Sequence, residues 1–339
     1  METKSVLKAL TECAGVSGDE FSASEKTAEF LGEYAENVSI DAFGSVLGHM
    51  TSEKSDAKTL LLDAHIDQVG LIVTFIDDRG FIGVGTCGSP DLRTLLAQSV
   101  TIHGKKKVLG VVSTLPPHVS KGSKEKSAPE IGDIFIDVGL SKEEAEKVIS
   151  LGDRITVNSA FRELSETIVS APAIDNRSGV CAVLRALEML KNKKLAYNIA
   201  VCFSCREETG ESGAKMNSFK IQPDEALIVD VSFGNTPDGS EKDTAKLGSG
   251  VMIGFSAGLD KGMSNKLCEL SQNANIPFTR EIMPGSTGTN ADAVGISGKG
   301  VKCCTLSLPI RYMHTAVETA DLRDIEAVAS LICEYAEEK

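Results

Sequence analysis

Two histidines and five carboxylates in this chain have the residue types and spacing for a hydrolytic metal site. His65 and Asp67 stand two apart directly after the apolar run Thr59–Asp63. In extended chain that spacing puts both side chains on one face, which suits an imidazole ligand and a carboxylate that orients it. Asp175 precedes a stretch with helical apolar periodicity, and Glu207 and Glu208 follow the apolar run Asn198–Cys205. Asp230 ends the run that begins at Ala226, and His314 follows Val301–Leu308. Taken singly, each has a plainer reading. An HxD pair can be a surface turn, and a lone Asp before a helix can be its N-terminal partner. The adjacent glutamates are harder to dismiss, because solvated charge pairs seldom follow directly on a core strand. Gathered at one sheet edge, five carboxylates would repel one another strongly, and two divalent cations would offset most of that charge. Nitrogen and oxygen ligands without thiolate suit Zn²⁺, Co²⁺ or Mn²⁺ in a two-metal hydrolase.

The elements that must position these residues are legible in the apolar pattern. Val6, Leu7, Leu10 and Cys13 space as one helical face, and a second helical stretch follows Gly18 to about Tyr34. Val46–Met50 and Thr59–Asp63 read as strands. From Leu71 to Phe161 short strand-like runs alternate with Gly and Pro turns, which predicts a small, mostly β unit. Within it the polar segment Lys121–Ile131 reads as a surface loop. After Ser165 the pattern becomes αβαβ: a helix through Val180, Val183, Leu184, Leu187 and Leu190, strands at Asn198–Cys205 and Ala226–Val231, a helix at Lys261–Asn275 and a strand at Val301–Leu308. A last helix is predicted from an N-cap at Thr319, with Leu322, Ile325, Val328, Ala329 and Ile332 inward. Strands alternating with helices predict a parallel sheet covered on both sides, in an α/β domain interrupted by the β unit.

Composition excludes several classes. The 339 residues suffice for about two domains. A net charge of −13 disfavours nucleic acid, and no apolar run approaches a membrane span. With no Trp and four Tyr, the chain has few platforms for sugar rings. Nine cysteines, an odd number scattered through apolar segments, together with a start lacking signal-peptide features, suit a reducing cytoplasm. Other matches are weaker. GVGTCG over Gly83–Gly88 fits GxGxxG, but Lys105–Lys107 stand where a dinucleotide site needs an acid. GSTG from Gly285 lacks the P-loop lysine, and Cys202 with Cys205 reads as buried thiols rather than a redox pair. His49, His103 and His118 carry no visible partner.

The motifs resemble the M42 family of metallo-aminopeptidases, the glutamyl and tetrahedral aminopeptidase group. The matches run in order through nearly the whole chain: GVSG at Gly15–Gly18 with Glu20, AHIDQVG at Ala64–Gly70, IDVG at Ile136–Gly139, AIDNRSG at Ala173–Gly179, REETGESGA at Arg206–Ala214, GSTGTNADA at Gly285–Ala293 and PIRYMHTAVE at Pro309–Glu318. The resemblance implies that Asp175 bridges two metals, that His65 and Asp230 complete one site, and that Glu208 and His314 complete the other. It implies Glu207 as general base and Asp67 as the residue that orients His65. The implied fold is a peptidase domain (1–70 and 162–339) with a mixed sheet flanked by helices, interrupted by a PDZ-like β dimerisation domain (71–161). The implied activity is removal of N-terminal residues from short peptides, by a homo-oligomer built from dimers, commonly a dodecamer.

Asn176, Asn290 and Ala316 depart from the family's frequent residues, although none removes an implied ligand. A related two-metal deacylase or dipeptidase has a similar ligand order, but usually inserts its second domain after the third ligand. The endoglucanase label sometimes attached to the family would need Glu207 and Glu208 to flank a glycosidic bond, for which adjacent residues are poorly placed.

Overall fold

The computed structural model describes residues 1–114, 129–237, 239–240 and 243–337. His118 and most of the Lys121–Ile131 segment lie outside them. The chain enters through α1 (Thr3–Thr11) and α2 (Phe21–Leu31), then β1 (Glu36–Ile40), β2 (Val46–Met50) and β3 (Thr59–His65). β3 is buried from Leu60 onward, as expected of a strand inside a covered sheet.

The predicted β unit is a closed barrel. β4 (Gly70–Ile76), β5 (Ile82–Cys87), β6 (Ser99–His103), β7 (Lys107–Val112), β8 (Phe135–Asp137) and β9 (Arg154–Val157) close in the order β4-β5-β8-β7-β6-β9. Leu71, Ile82, Val100, Ile102, Ile136 and Ile155 fill its interior. Gly83 and Gly85 of the GxGxxG match lie within β5, so this segment is strand rather than nucleotide loop. α3 (Lys142–Val148), unforeseen in the sequence, starts on a capping box formed by Ser141 and Glu144.

The chain then returns through β10 (Arg162–Glu163), β11 (Ile168–Ala171), α4 (Ile174–Leu190), β12 (Asn198–Ser204), α5 (Ser212–Ile221), β13 (Glu225–Phe233), β14 (Val251–Ser256) and α6 (Lys261–Asn273). It ends with β15 (Phe278–Met283), α7 (Ala291–Gly295), β16 (Lys302–Ile310), β17 (Glu318–Asp321) and α8 (Leu322–Ala336).

The main sheet has eight strands in the order β1-β2-β12-β3-β13-β16-β14-β15. It is mixed, not wholly parallel as the αβ alternation predicts. β12, β3, β13 and β16 run parallel, whereas β2 is antiparallel to β12 and β14 to β16. The β1–β2 hairpin and the β14–β15 pair carry the reversals, and only Val46–Met50 of these was legible from apolar pattern. One sheet face packs on α1, α4, α6 and α8 through residues such as Leu7, Leu184, Leu267 and Ile332. Each such fully buried aliphatic side chain stabilises the fold by about 1.5–3 kcal/mol. The other face is covered more thinly by Ala214, Ala291 and Val294 of α5 and α7. The last helix begins one short strand later than predicted. Asp321, not Thr319, is its N-cap and accepts from the Arg323 N–H, while Thr319 pairs with Ser170 of β11. Among the described residues no helix is long and apolar enough to cross a membrane.

Candidate metal centre

The parallel strands point their C-terminal ends the same way, the edge where open α/β sheets hold their sites. His65 closes β3, Glu207 and Glu208 follow β12, and Asp230 lies near the end of β13. Asp175 opens α4 in non-helical conformation (φ −74°, ψ 107°), and His314 lies in the turn after β16 with φ +62°. The left-handed region costs a non-glycine residue energy and persists only where its surroundings hold it. Arg206, Tyr312 and His314, all at φ near +60°, flank or belong to the cluster.

Three sets of ligand atoms lie within 4.8 Å of one another: His65, Asp175 and Asp230; Asp175, Glu208 and His314; and His65, Glu207 and Glu208. His65 Nε2 is 3.0 Å from Asp175 Oδ1 and 3.6 Å from Asp230 Oδ1. His314 Nε2 is 3.5 Å from both Asp175 Oδ2 and Glu208 Oε1. Two ligands of a tetrahedral ion, each about 2.0–2.1 Å from it, stand about 3.4 Å apart, so these gaps suit an ion between the atoms. Asp175 Oδ1 is buried and, although His65 Nε2 stands 3.0 Å away, makes no aligned hydrogen bond, an expensive condition unless something else meets it. The residues therefore fit bound divalent metal, and Asp175 belongs to two of the three sets.

Around the ligands runs a layer of hydrogen bonds. His65 Nδ1 contacts the Asp67 carbonyl oxygen at 3.1 Å, and His314 Nδ1 contacts the Ser89 carbonyl at 2.9 Å. Both contacts place the ring proton on Nδ1 and leave Nε2 as the ligand atom. The Asp67 carboxylate, fully buried, accepts the N–H groups of Glu207 and Glu208 at 3.0 and 3.1 Å. Asp67 thus fixes the glutamate pair as well as touching His65. Glu20 accepts the N–H groups of Gly18 and Arg206 and so anchors the turn that delivers Glu207.

The electrostatics are those of crowded, buried acids. Burial, joined by neighbouring carboxylates, pushes Glu207 and Glu208 up to about 9, although His65 pulls both down. Burial likewise raises Asp230. Burial works against the charge of Asp175 too, yet His314 and His65 hold its carboxyl below the ordinary range. Burial would lower the His65 imidazole, but the adjoining carboxylates hold it well above its usual value.

Several supporting residues carry no signal in the ligand pattern. Glu318, the last residue of the PIRYMHTAVE segment, is 2% exposed. Its Oε2 accepts the Asp175 N–H at 2.9 Å and its Oε1 the His314 N–H at 2.8 Å, so it clamps two candidate ligands from behind. The fully buried Arg177 donates to the carbonyls of Ile66 at 2.6 Å and Leu10 at 2.8 Å, supporting the His65–Asp67 turn. Only the unusual placement of charge in apolar segments could have flagged either. Asn176 Nδ2 donates to the Val229 carbonyl, and Asn290 Nδ2 donates to Asp63 Oδ1 and Ser204 Oγ. Both asparagines are thus built into the floor under the cluster. Ala316 lies in the turn that follows His314, and none of the three replaces a cluster residue. Cys202 and Cys205 are buried free thiols. His103 does have a partner, Thr156 Oγ1 at 2.9 Å.

Comparison with known proteins places this geometry. Residues 44–331 match the model of the M42 glutamyl aminopeptidase family. The chain is similar to the lysyl aminopeptidase of Pyrococcus furiosus, with 33% identity over 96% of this chain and 94% of that one. Among solved structures it is similar to the aminopeptidase APDkam598 of Desulfurococcus kamchatkensis, with 32% identity, a TM-score of 0.93, and coverage of 100% of this chain and 95% of that one. It is also similar to the TET1 peptidase of Pyrococcus horikoshii, which can assemble into a tetrahedron or a large octahedral shell. That match has 29% identity, a TM-score of 0.87 and full coverage of both chains.

Proposed function

The chain belongs to the M42 glutamyl aminopeptidase family and is a peptide hydrolase, and on that premise we propose that it removes single residues from the free N-terminus of short peptides. The observation that carries this reading is the pair of ligand sets sharing Asp175. His65, Asp175 and Asp230 would hold one divalent ion, and Asp175, Glu208 and His314 the other, with Zn²⁺, Co²⁺ or Mn²⁺ as the fitting metals. When bound, the ions polarise the scissile carbonyl and make a water acidic.

The chain's own residues do the rest. Glu207 belongs to neither of these two sets, and its backbone is pinned by Asp67. It takes the proton of the attacking water and returns it to the departing amine. Asp67 and the Ser89 carbonyl fix the two imidazoles so that each presents Nε2. The substrate's free α-amine meets the acidic cluster, which recognises it by charge. The barrel forms part of an inserted, PDZ-like dimerisation domain (71–161) between the two parts of a peptidase domain (1–70 and 162–339). The working form is a cytoplasmic homo-oligomer built from dimers, a dodecamer when complete. The barrel's position between His65 and Asp175 in the chain favours this reading over a deacylase.

One comparison tests it: hydrolysis of a free peptide against its N-acetyl form by the metal-loaded protein. The free peptide should be cut faster, with release of its first residue. Faster cleavage of the acetylated form, at its acyl bond, would establish the deacylase instead.

A further inference from the structure

Beyond the metal cluster, the same face of the main sheet carries a row of polar side chains beside Met252 and Met283. Asp230 of β13 pairs with Ser307 of β16, Ser307 with Met252 of β14, and Gly254 with Glu281 of β15. Paired residues and residues two apart share a face, so Asp230, Ser232, Ser307 and Glu281 all project to one side. Glu281 stands on the edge strand, yet Gly254 between it and β16 has no side chain to block it. Its carboxylate therefore reaches inward, accepting from Ser307 Oγ at 2.7 Å and from Ser232 Oγ. Ser232 is two residues past Asp230, about 6.6 Å along an extended strand. Glu281 thus lies one side chain's reach from the cluster, in the wall of the cavity of about 1070 Å³ that opens onto His65, Asp175 and Asp230.

No lysine or arginine of the described residues pairs with this half-buried carboxylate. Arg280, the one arginine along the cavity, is next in the strand and turns away, its guanidinium 5.6 Å from the Phe255 ring. Burial pushes the Glu281 carboxyl above its ordinary value, while the two hydroxyls pull it down. Each serine hydroxyl spends its proton on Glu281 and presents only lone pairs to the cavity. Together the three groups form a set of acceptors with no donor to offer. An ammonium or guanidinium, all donors, complements that set. A carboxylate would meet repulsion from Glu281 and from the cluster acids.

The geometry points to a basic first residue as the preferred substrate, with the lysine or arginine side chain received by Glu281, Ser232 and Ser307. This rests on the aminopeptidase reading above, and it sets this chain apart from an enzyme for acidic N-termini.

The test is a panel of lysyl, arginyl, methionyl and glutamyl anilides with the metal-loaded protein, repeated with Glu281→Gln. Lysyl and arginyl substrates should exceed methionyl in kcat/KM by at least about tenfold, as for a hydrogen bond to a charged group, and glutamyl should be poorest. In Glu281→Gln the lysyl-to-methionyl ratio should fall at least about fivefold, mainly through KM. Methionyl or glutamyl preference in the parent, or a smaller fall in the variant, overturns the assignment. If no anilide is cut, the aminopeptidase reading fails, and the pocket is judged by calorimetric binding of free L-lysine against L-methionine. Tighter lysine binding upholds it, and equal or weaker binding overturns it.

Discussion

Glu318 offers a way to separate the frame of the site from its ligands. Its two carboxylate oxygens accept the backbone N–H groups of Asp175 and His314 and so join two segments that also meet through the β11–β17 pairing. Glu318→Gln keeps the volume and one acceptor oxygen but turns an amide NH₂ toward the second N–H. Leaving one buried donor without an acceptor costs about 1–3 kcal/mol. If that cost falls on the arrangement of Asp175 against His314, it appears as a metal-binding constant weakened roughly 5- to 150-fold. Glu318→Ala loses both acceptors and opens a void, so it should bind metal more weakly still. The assay is competition for Zn²⁺ against a chromophoric chelator, alongside urea denaturation of the metal-free protein. A merely structural glutamate would lower the denaturation midpoint and leave metal affinity alone. Metal uptake by Glu318→Gln within twofold of the parent would refute the clamp.

Glu207→Gln should keep its metals and lose turnover by a factor of order 10²–10⁴, whereas Glu208→Gln should lose one ion by elemental analysis; equal metal loss in both contradicts the division of roles. Asn290→Asp sets a second carboxyl against Asp63, which burial already pushes up to about 7. It should destabilise the metal-free protein by about 1–3 kcal/mol near pH 8, and an unchanged urea midpoint there would rule this out. Asp324 accepts the N–H groups of Gly248 and Gly250, and burial pushes it up to about 6. A folded value above the ordinary 3.8 means that folding favours the protonated acid. The contribution is therefore fully present below about pH 4 and lost as pH rises through 6. The stability of the parent relative to Asp324→Asn should fall by up to about 3 kcal/mol across that window, and a pH-independent difference would contradict it.

What the sequence disclosed followed from burial. β3, β12, β13 and β16 are apolar along most of their length because helices cover both faces, so their ends, and the ligand-type residues there, stood out. The edge elements did not. β15 alternates half-buried and exposed positions (Phe278–Met283), and β1 is exposed along most of its length, so neither carries a core strand's signature. The N-cap of α8 was misplaced because Thr319 and Asp321 are both good capping residues, and only the pairing of Ser170 with Thr319 decides between them. Glu318, Arg177 and Ser89 were illegible for a different reason. They act through backbone groups, whose positions depend on segments distant in the chain, and in the case of Ser89 through a carbonyl that every residue type possesses.

That last contact ties the inserted barrel to the chemistry. The Ser89 carbonyl, on the segment just past β5, sets the ring of His314, and a Cβ added at neighbouring Gly88 would meet the Glu208 side chain at 3.1 Å. On the two-metal reading, steadiness of the segment around Ser89 and retention of an ion on the His314 side would therefore be linked. Free energy exchanged between them is reciprocal. Occupancy of that ion should slow amide hydrogen exchange around residues 88–91, and any contact that steadies the barrel should be felt as tighter retention of metal.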